Sequence, residues 1–162
     1  MFRTLIIAAS CALALAACNK KLPDQSAQSA AFMEQNAKQP GVQTLPSGLQ
    51  YKVVRSGPAT GLRPKLADEV KVHYEGKLID GKVFDSSYER GAPAAMPLRQ
   101  LIPAWKEALQ LMRPGDEWVL YVPPALGYGA EGAGGDIPPG AALIFRIELI
   151  DVLPGPGSIG QG

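Results

Sequence analysis

Residues 143–149 alternate in character, with Leu143, Phe145, Ile147 and Leu149 on one face and Arg146 and Glu148 on the other. Neighbouring side chains of a strand point to opposite faces, so a period of two fixes a half-buried β-strand. The same period recurs twice: Leu49, Tyr51 and Val53 within residues 48–54, and Val70, Val72 and Tyr74 alternating with Lys71, His73 and Glu75. In the second of these, Tyr74 points inward and His73 outward to solvent. Residues 118–122 read as a further strand, and Asp80-Gly81 is a hairpin turn that pairs residues 75–79 with 82–86. One segment breaks the pattern. Ile102, Trp105, Leu109 and Met112 form an apolar stripe at helical spacing, with Pro103 in the first turn and Pro114-Gly115 as the stop. Strands, one helix, then strands again imply an α+β fold: a twisted antiparallel β-sheet with one short α-helix packed on it. The 18 glycines and 15 prolines suit such a loop-rich, mainly β chain.

The N-terminus reads differently. Arg3 precedes an apolar run over residues 5–17 that is shorter than the roughly 20 residues a bilayer span needs and suits a secretory leader. A retained membrane anchor is the alternative. The run ends in Leu15-Ala16-Ala17-Cys18, which resembles the cleavage box of bacterial lipoproteins. Residues 1–17 are therefore expected to be a lipoprotein-type signal peptide and Cys18 the lipidated residue, with ordinary cleavage nearby as the other possibility. Two or more acyl chains hold a protein on a membrane where one does not. Asn19 after the cysteine favours the outer membrane, so the expected location is the periplasmic face of the cell envelope. Cys11 lies within the leader, which leaves no cysteine for a disulfide, a thiol nucleophile or a metal site in the rest of the chain.

Residues 18–44 read as a tether, rich in Gln, Ala, Ser, Asn and Lys, with a short helix within residues 24–38. The globular part runs over residues 45–153, and residues 154–162 read as a disordered Gly/Pro tail. Sixteen basic and fifteen acidic side chains, with no basic run, give no electrostatic case for nucleic acid. His73 is the only histidine, too few for a metal centre or a Ser-His-Asp triad, and the glycines around Gly127 lack a P-loop lysine. No metal or cofactor is expected. What remains is a set of aromatic and apolar groups near turns: Tyr74, Phe84, Trp105, Tyr128, Ile137 and Phe145. Composition alone favours plain core for these.

Their order says more. Val72-His73-Tyr74-Glu75-Gly76, Gly81-Lys82-Val83-Phe84-Asp85-Ser86-Ser87, Leu101-Ile102-Pro103-Ala104-Trp105, Ala125-Leu126-Gly127-Tyr128-Gly129 and Ile137-Pro138-Pro139 resemble, in order and spacing, the signature of the FKBP-type peptidyl-prolyl isomerases. Residues 143–149 resemble that family's closing strand. Residues 45–51 resemble the lead-in of secreted bacterial members related to the macrophage infectivity potentiators. Those carry a long dimerising helix, for which residues 18–44 are too few, so a monomer is expected.

The resemblance implies a pocket between helix and sheet. Trp105 would be its floor and Tyr74, Phe84, Leu101, Ile102 and Phe145 its walls. The Ile102 N–H and the Tyr128 hydroxyl would hydrogen-bond the carbonyls of a bound chain. Asp85 would sit at the rim, held by Tyr74 or Arg90, and Ile137 would close the top from a flap. Proline-containing polypeptides are the implied partners, and macrolide inhibitors would enter the same pocket. Three positions depart from the family: Ala94 stands where a bulky aromatic usually lines the pocket, Ala104 replaces a glycine before the tryptophan, and the flap over residues 131–136 is glycine-rich. The alternative function is a non-catalytic chaperone or scaffold that keeps the fold.

Overall fold

The computed structural model describes residues 22–155 of the chain, so the leader, Cys18 and most of the C-terminal segment lie outside the described residues. The described chain runs β1 (Gln43–Thr44), β2 (Gln50–Arg55), β3 (Glu69–Leu78), β4 (Val83–Ser86), β5 (Ala94–Pro97), β6 (Glu117–Val122) and β7 (Leu143–Leu153), with helix α1 (Ser26–Asn36) ahead of β1 and helix α2 (Pro103–Leu109) ahead of β6. All pairings are antiparallel in the order β1-β2-β6-β7-β3-β4, and β5 adds to the first half of β3. The α+β reading holds: an antiparallel sheet with few helices.

The long central strands follow from the alternation. Along β3, Val70, Val72, Tyr74 and Leu78 are buried, and along β7 Leu143, Phe145, Ile147 and Leu149 are buried. They pair directly, Tyr74 opposite Ile147 and Gly76 opposite Phe145. The turn between β3 and β4 uses Gly81 at φ 93°, a left-handed conformation that a side chain resists. Helix α2 is shorter than its apolar stripe. Ile102 is its extended N-cap (φ −60°, ψ 153°), as expected of a residue before proline, and Met112 is fully buried beyond its end. Ala104, Trp105, Ala108 and Leu109 turn its buried face into the same cluster as Leu49, Leu120, Leu143 and Ile147. The full burial of such aliphatic side chains stabilises the fold by roughly 1.5–3 kcal/mol each.

Three features differ from the sequence reading. Leu49, just ahead of β2, and Tyr51 lie at the core, but Val53 is 37% exposed, next to a register shift between Val53 and Arg55 that breaks the regular pairing with β6. His73 is half-buried rather than solvated: its ring stacks on Tyr88 at 4.7 Å and Nδ1 lies 2.9 Å from the Ser87 hydroxyl. The segment expected as a tether contains a docked helix. Phe32 of α1 meets Tyr121 (6.2 Å between ring centres), the Asn36 amide donates to Gln50 Oε1 at 2.8 Å, and Gln50 Nε2 donates to the Met33 carbonyl. Gln50 and Tyr121 sit opposite each other in register and alternate with the core residues Leu49, Leu120 and Val122, so α1 covers the sheet face away from α2. At the other end Gly155 is buried, and its N–H donates to Asp68 Oδ1 at 3.0 Å.

Candidate functional site

A cleft of about 270 Å³ opens between α2 and the sheet, lined by Tyr74, Phe84, Asp85, Met96, Gln100, Leu101, Ile102, Trp105, Tyr128 and Phe145. Its base is a chain of perpendicular rings. Tyr74 meets Trp105 at 5.1 Å and 83°, Trp105 meets Phe145 at 5.3 Å and 88°, and Phe145 meets Phe84 at 5.6 Å and 88°. Edge-to-face geometry sets the positive rim of one ring against the negative face of the next, so each ring fixes the angle of its neighbour. The Trp105 indole Nε1 is buried and has no hydrogen-bond partner among the described residues.

This aromatic base depends on a residue with no side chain. Gly76 lies in β3 under the two phenylalanines, and a Cβ there would stand 2.7 Å from Phe145 Cε1, Phe84 Cε2 and Phe84 Cζ. Glycine is required so that both rings can lie on the strand.

The polar rim is compact. The Tyr74 hydroxyl donates to Asp85 Oδ2 at 2.5 Å and accepts from Arg90 Nη2 at 2.8 Å, and Arg90 Nη1 pairs with Asp85 Oδ1. The guanidinium also lies over the Tyr74 ring, 5.4 Å from its centre. Burial pushes the Tyr74 phenol up, and its bond to Asp85 adds to that, so it remains a donor. For Asp85, desolvation favours the neutral acid, but the hydrogen bonds from Tyr74 and Arg90 outweigh it and hold the carboxyl below its usual range. Ser87 anchors this corner: its buried hydroxyl accepts the Tyr74 N–H at 2.8 Å.

Two donors of the cleft residues lack a partner among the described residues. The Ile102 N–H makes no hydrogen bond to a described residue, and the Tyr128 hydroxyl, on a side chain 40% exposed at the cleft mouth, has no partner among them either. Of the residues singled out from sequence, Tyr74, Phe84, Asp85, Leu101, Ile102, Trp105, Tyr128 and Phe145 come together here. Arg90 stands behind the lining, holding Tyr74 and Asp85. Ile137 does not join the cleft: it is 7% exposed, packs in the main core and pairs its backbone with Ala133. Met96 and Gln100 also line the cleft, and no motif in the sequence points to them. Ala94 and Met96 are two apart on β5 and share a face, so Met96 supplies a wall beside the position where Ala94 replaces an aromatic.

An antiparallel sheet closed over one short helix, with an aromatic cleft between them, defines the architecture of a known isomerase family, and this chain belongs to it. The model of the FKBP-type peptidyl-prolyl cis-trans isomerases matches residues 61–150, more than half of the chain, and that of the domain amino-terminal to such isomerases matches residues 8–53. Among similar curated proteins is the peptidyl-prolyl cis-trans isomerase Mip of Coxiella burnetii, 55% identical over 125 residues that cover 77% of this chain and 54% of that protein. The outer membrane protein MIP of Legionella longbeachae is 48% identical over 134 residues, covering 83% of this chain and 57% of that one. The crystal structure of FkpA from Escherichia coli superposes with a TM-score of 0.76 at 45% identity, covering 80% of this chain and 60% of that one. The chain thus spans little more than half the length of these relatives.

Proposed function

We propose that the protein is a peptidyl-prolyl cis–trans isomerase that accelerates Xaa–Pro rotation in polypeptides outside the cytoplasm, using Tyr74, Phe84, Asp85, Ile102, Trp105, Tyr128 and Phe145. The observation that carries this reading is the ring-walled cleft with two unengaged donors, Ile102 N–H and Tyr128 O–H, at its edge. Rotation about an Xaa–Pro amide breaks conjugation and faces a barrier of ~18–20 kcal/mol. No covalent bond is cleaved, so no nucleophile is required. Midway through rotation the amide has lost its resonance dipole, and an apolar cleft suits that state better than the planar amide, which water solvates well. A ~10⁵–10⁶-fold acceleration corresponds to about 7–8 kcal/mol of such preference. The volume of about 270 Å³ lies just under the roughly 300–1,000 Å³ of small-molecule sites, a fit for one prolyl ring and a tight one for a macrolide. Leu101 borders the ring and Arg90 keeps the rim ordered. The test is a protease-coupled assay with a short Xaa-Pro peptide on wild type and Phe84→Ala: kcat/KM is expected to fall at least tenfold in a folded variant. Unchanged turnover in folded Phe84→Ala would remove this assignment.

The envelope location belongs to the same proposal. It is supported by the apolar run over residues 5–17, by Leu15-Ala16-Ala17-Cys18, and by a relative described as an outer membrane protein. Cells fed a labelled fatty acid should acylate the wild type and not Cys18→Ser; label retained in the variant would refute the anchor. The contacts of α1 to its own domain support a monomer, which sedimentation of the leaderless protein would test.

A further inference from the structure

Tyr128 reaches the cleft from the loop between β6 and β7, and that loop is tied down on the opposite side of the molecule. Apart from an exposed ion pair from Asp136 to Lys82, the contacts within the loop are local: Gly129 N–H donates to the Pro124 carbonyl, Gly132 N–H to the Tyr128 carbonyl, and Ala133 pairs with Ile137. The bond that connects the immediate neighbour of Tyr128 to a more distant segment runs from Gly140 N–H to the Gly129 carbonyl at 2.9 Å. Gly140 is in turn held by α1. The Ser29 hydroxyl donates to the Gly140 carbonyl at 2.7 Å and accepts the Ala142 N–H at 2.7 Å, and the Gln25 N–H donates to the Pro139 carbonyl at 2.8 Å.

Ser29 is an unusual helix residue. A serine inside a helix ordinarily faces water or bonds back to its own helix's carbonyls. This one is fully buried and spends both its donor and its acceptor on residues 111 and 113 positions further along the chain. The approach is close: Gly140 has φ +66°, and a Cβ on it would stand 2.1 Å from Ser26 Oγ. The two backbones are locked together by a contact that only glycine permits.

We propose that Ser29 is a positioning residue for the isomerase reaction: by fixing Gly140, and through it the Gly129 carbonyl, it holds Tyr128 at the cleft mouth. This rests on reading the cleft as a prolyl isomerase site. Loosening the brace lowers the fraction of molecules with Tyr128 in place, and apparent affinity falls by that fraction while the bound complex turns over normally. In steady-state assays on the full chain, Ser29→Ala should raise KM about three- to tenfold and leave kcat within about twofold. Irreversible loss of active protein would instead lower kcat at constant KM, and because reversible global unfolding would raise KM by the same rule, urea curves must show Ser29→Ala fully folded under assay conditions. Asn36→Ala, which unties the far end of α1 from Gln50, should leave KM within about twofold, and Ser29→Ala should add less than about twofold in a Tyr128→Phe background.

Unchanged KM in Ser29→Ala, equal effects from Asn36→Ala, or the full effect persisting without the Tyr128 hydroxyl would each overturn the proposal. Amide exchange separates it from the assignment of the cleft. Even if the wild type shows no turnover, Ser29→Ala should speed exchange at Gly140 and Ala142. Should that variant fail to fold, the wild-type Gly140 and Ala142 amides should open together with those of α1. Protection of both while α1 exchanges freely would refute the brace.

Discussion

Replacing Gly76 with alanine tests the cleft through a residue that lines none of it. The added methyl would stand 2.7 Å from three ring carbons of Phe84 and Phe145, where unstrained carbon contacts lie at about 3.5–4.0 Å, so each ring must retreat by about 1 Å. Neither has an easy path. Phe145 is 3% exposed and wedged edge-on against Trp105, and Phe84 is braced on Phe145. Overpacking of this kind costs about 1–3 kcal/mol. The lower backbone entropy of alanine returns roughly 0.5–1 kcal/mol, leaving a net loss of up to about 2.5 kcal/mol. The effect on turnover should be larger in proportion, because displacing the wall of a reaction site by 1 Å costs up to ~10²-fold. We expect Gly76→Ala to unfold at slightly lower urea and to lose ~10–100-fold in kcat/KM in the protease-coupled assay while remaining folded under assay conditions. A variant with the parental unfolding midpoint and undiminished kcat/KM would show that the rings do not need their present placement.

Two further outcomes follow from the rim. Tyr128→Phe removes a hydroxyl with no partner among the described residues, so its unfolding curve should match wild type while kcat/KM falls by roughly two- to tenfold, one hydrogen bond of ~0.5–1.5 kcal/mol. Because the folded Asp85 carboxyl titrates below its unfolded value of roughly 3.9, its stabilising effect is complete above that value and disappears as pH falls through the folded one. Asp85→Asn should therefore be less stable than wild type in urea at neutral pH, and the gap should close on acidification below about pH 4; a gap that widens in acid would reverse the assigned shift.

Much of this molecule can be read from side-chain periodicity. β3 and β7 announce themselves because each buries one face only, and α2 because four apolar residues share one side with a proline at its start. The cleft residues were found by the order of short motifs rather than by physics alone: nothing in the spacing of Phe84, Trp105 and Phe145 says that their rings meet at right angles. β5 was invisible because Ala94-Ala95-Met96-Pro97 has no alternation of its own and becomes a strand only by pairing with β3. Without that pairing the sequence does not place Met96 as a wall; its only signal is a methionine close to the Ala94 gap. α1 was legible as a helix but not as a docked one. Its anchors are Ser29 and Asn36, polar residues whose burial depends on partners 111 and 14 residues away, respectively. The resemblance implies Ile137 at the top of the cleft, and its large apolar side chain serves the core instead.

The indole floor has an optical consequence. Of the two tryptophans, Trp105 lies at the base of the cleft with its N–H unengaged among the described residues, whereas Trp118 lies outside the cleft lining, stacked on Tyr51 at 4.4 Å. A ligand that settles on the first changes its surroundings and leaves the second alone, so ultraviolet emission should register occupancy without any attached dye. Trp118 adds a constant background to that emission, and Trp118→Phe would leave a single emitter that reports on the cleft floor alone.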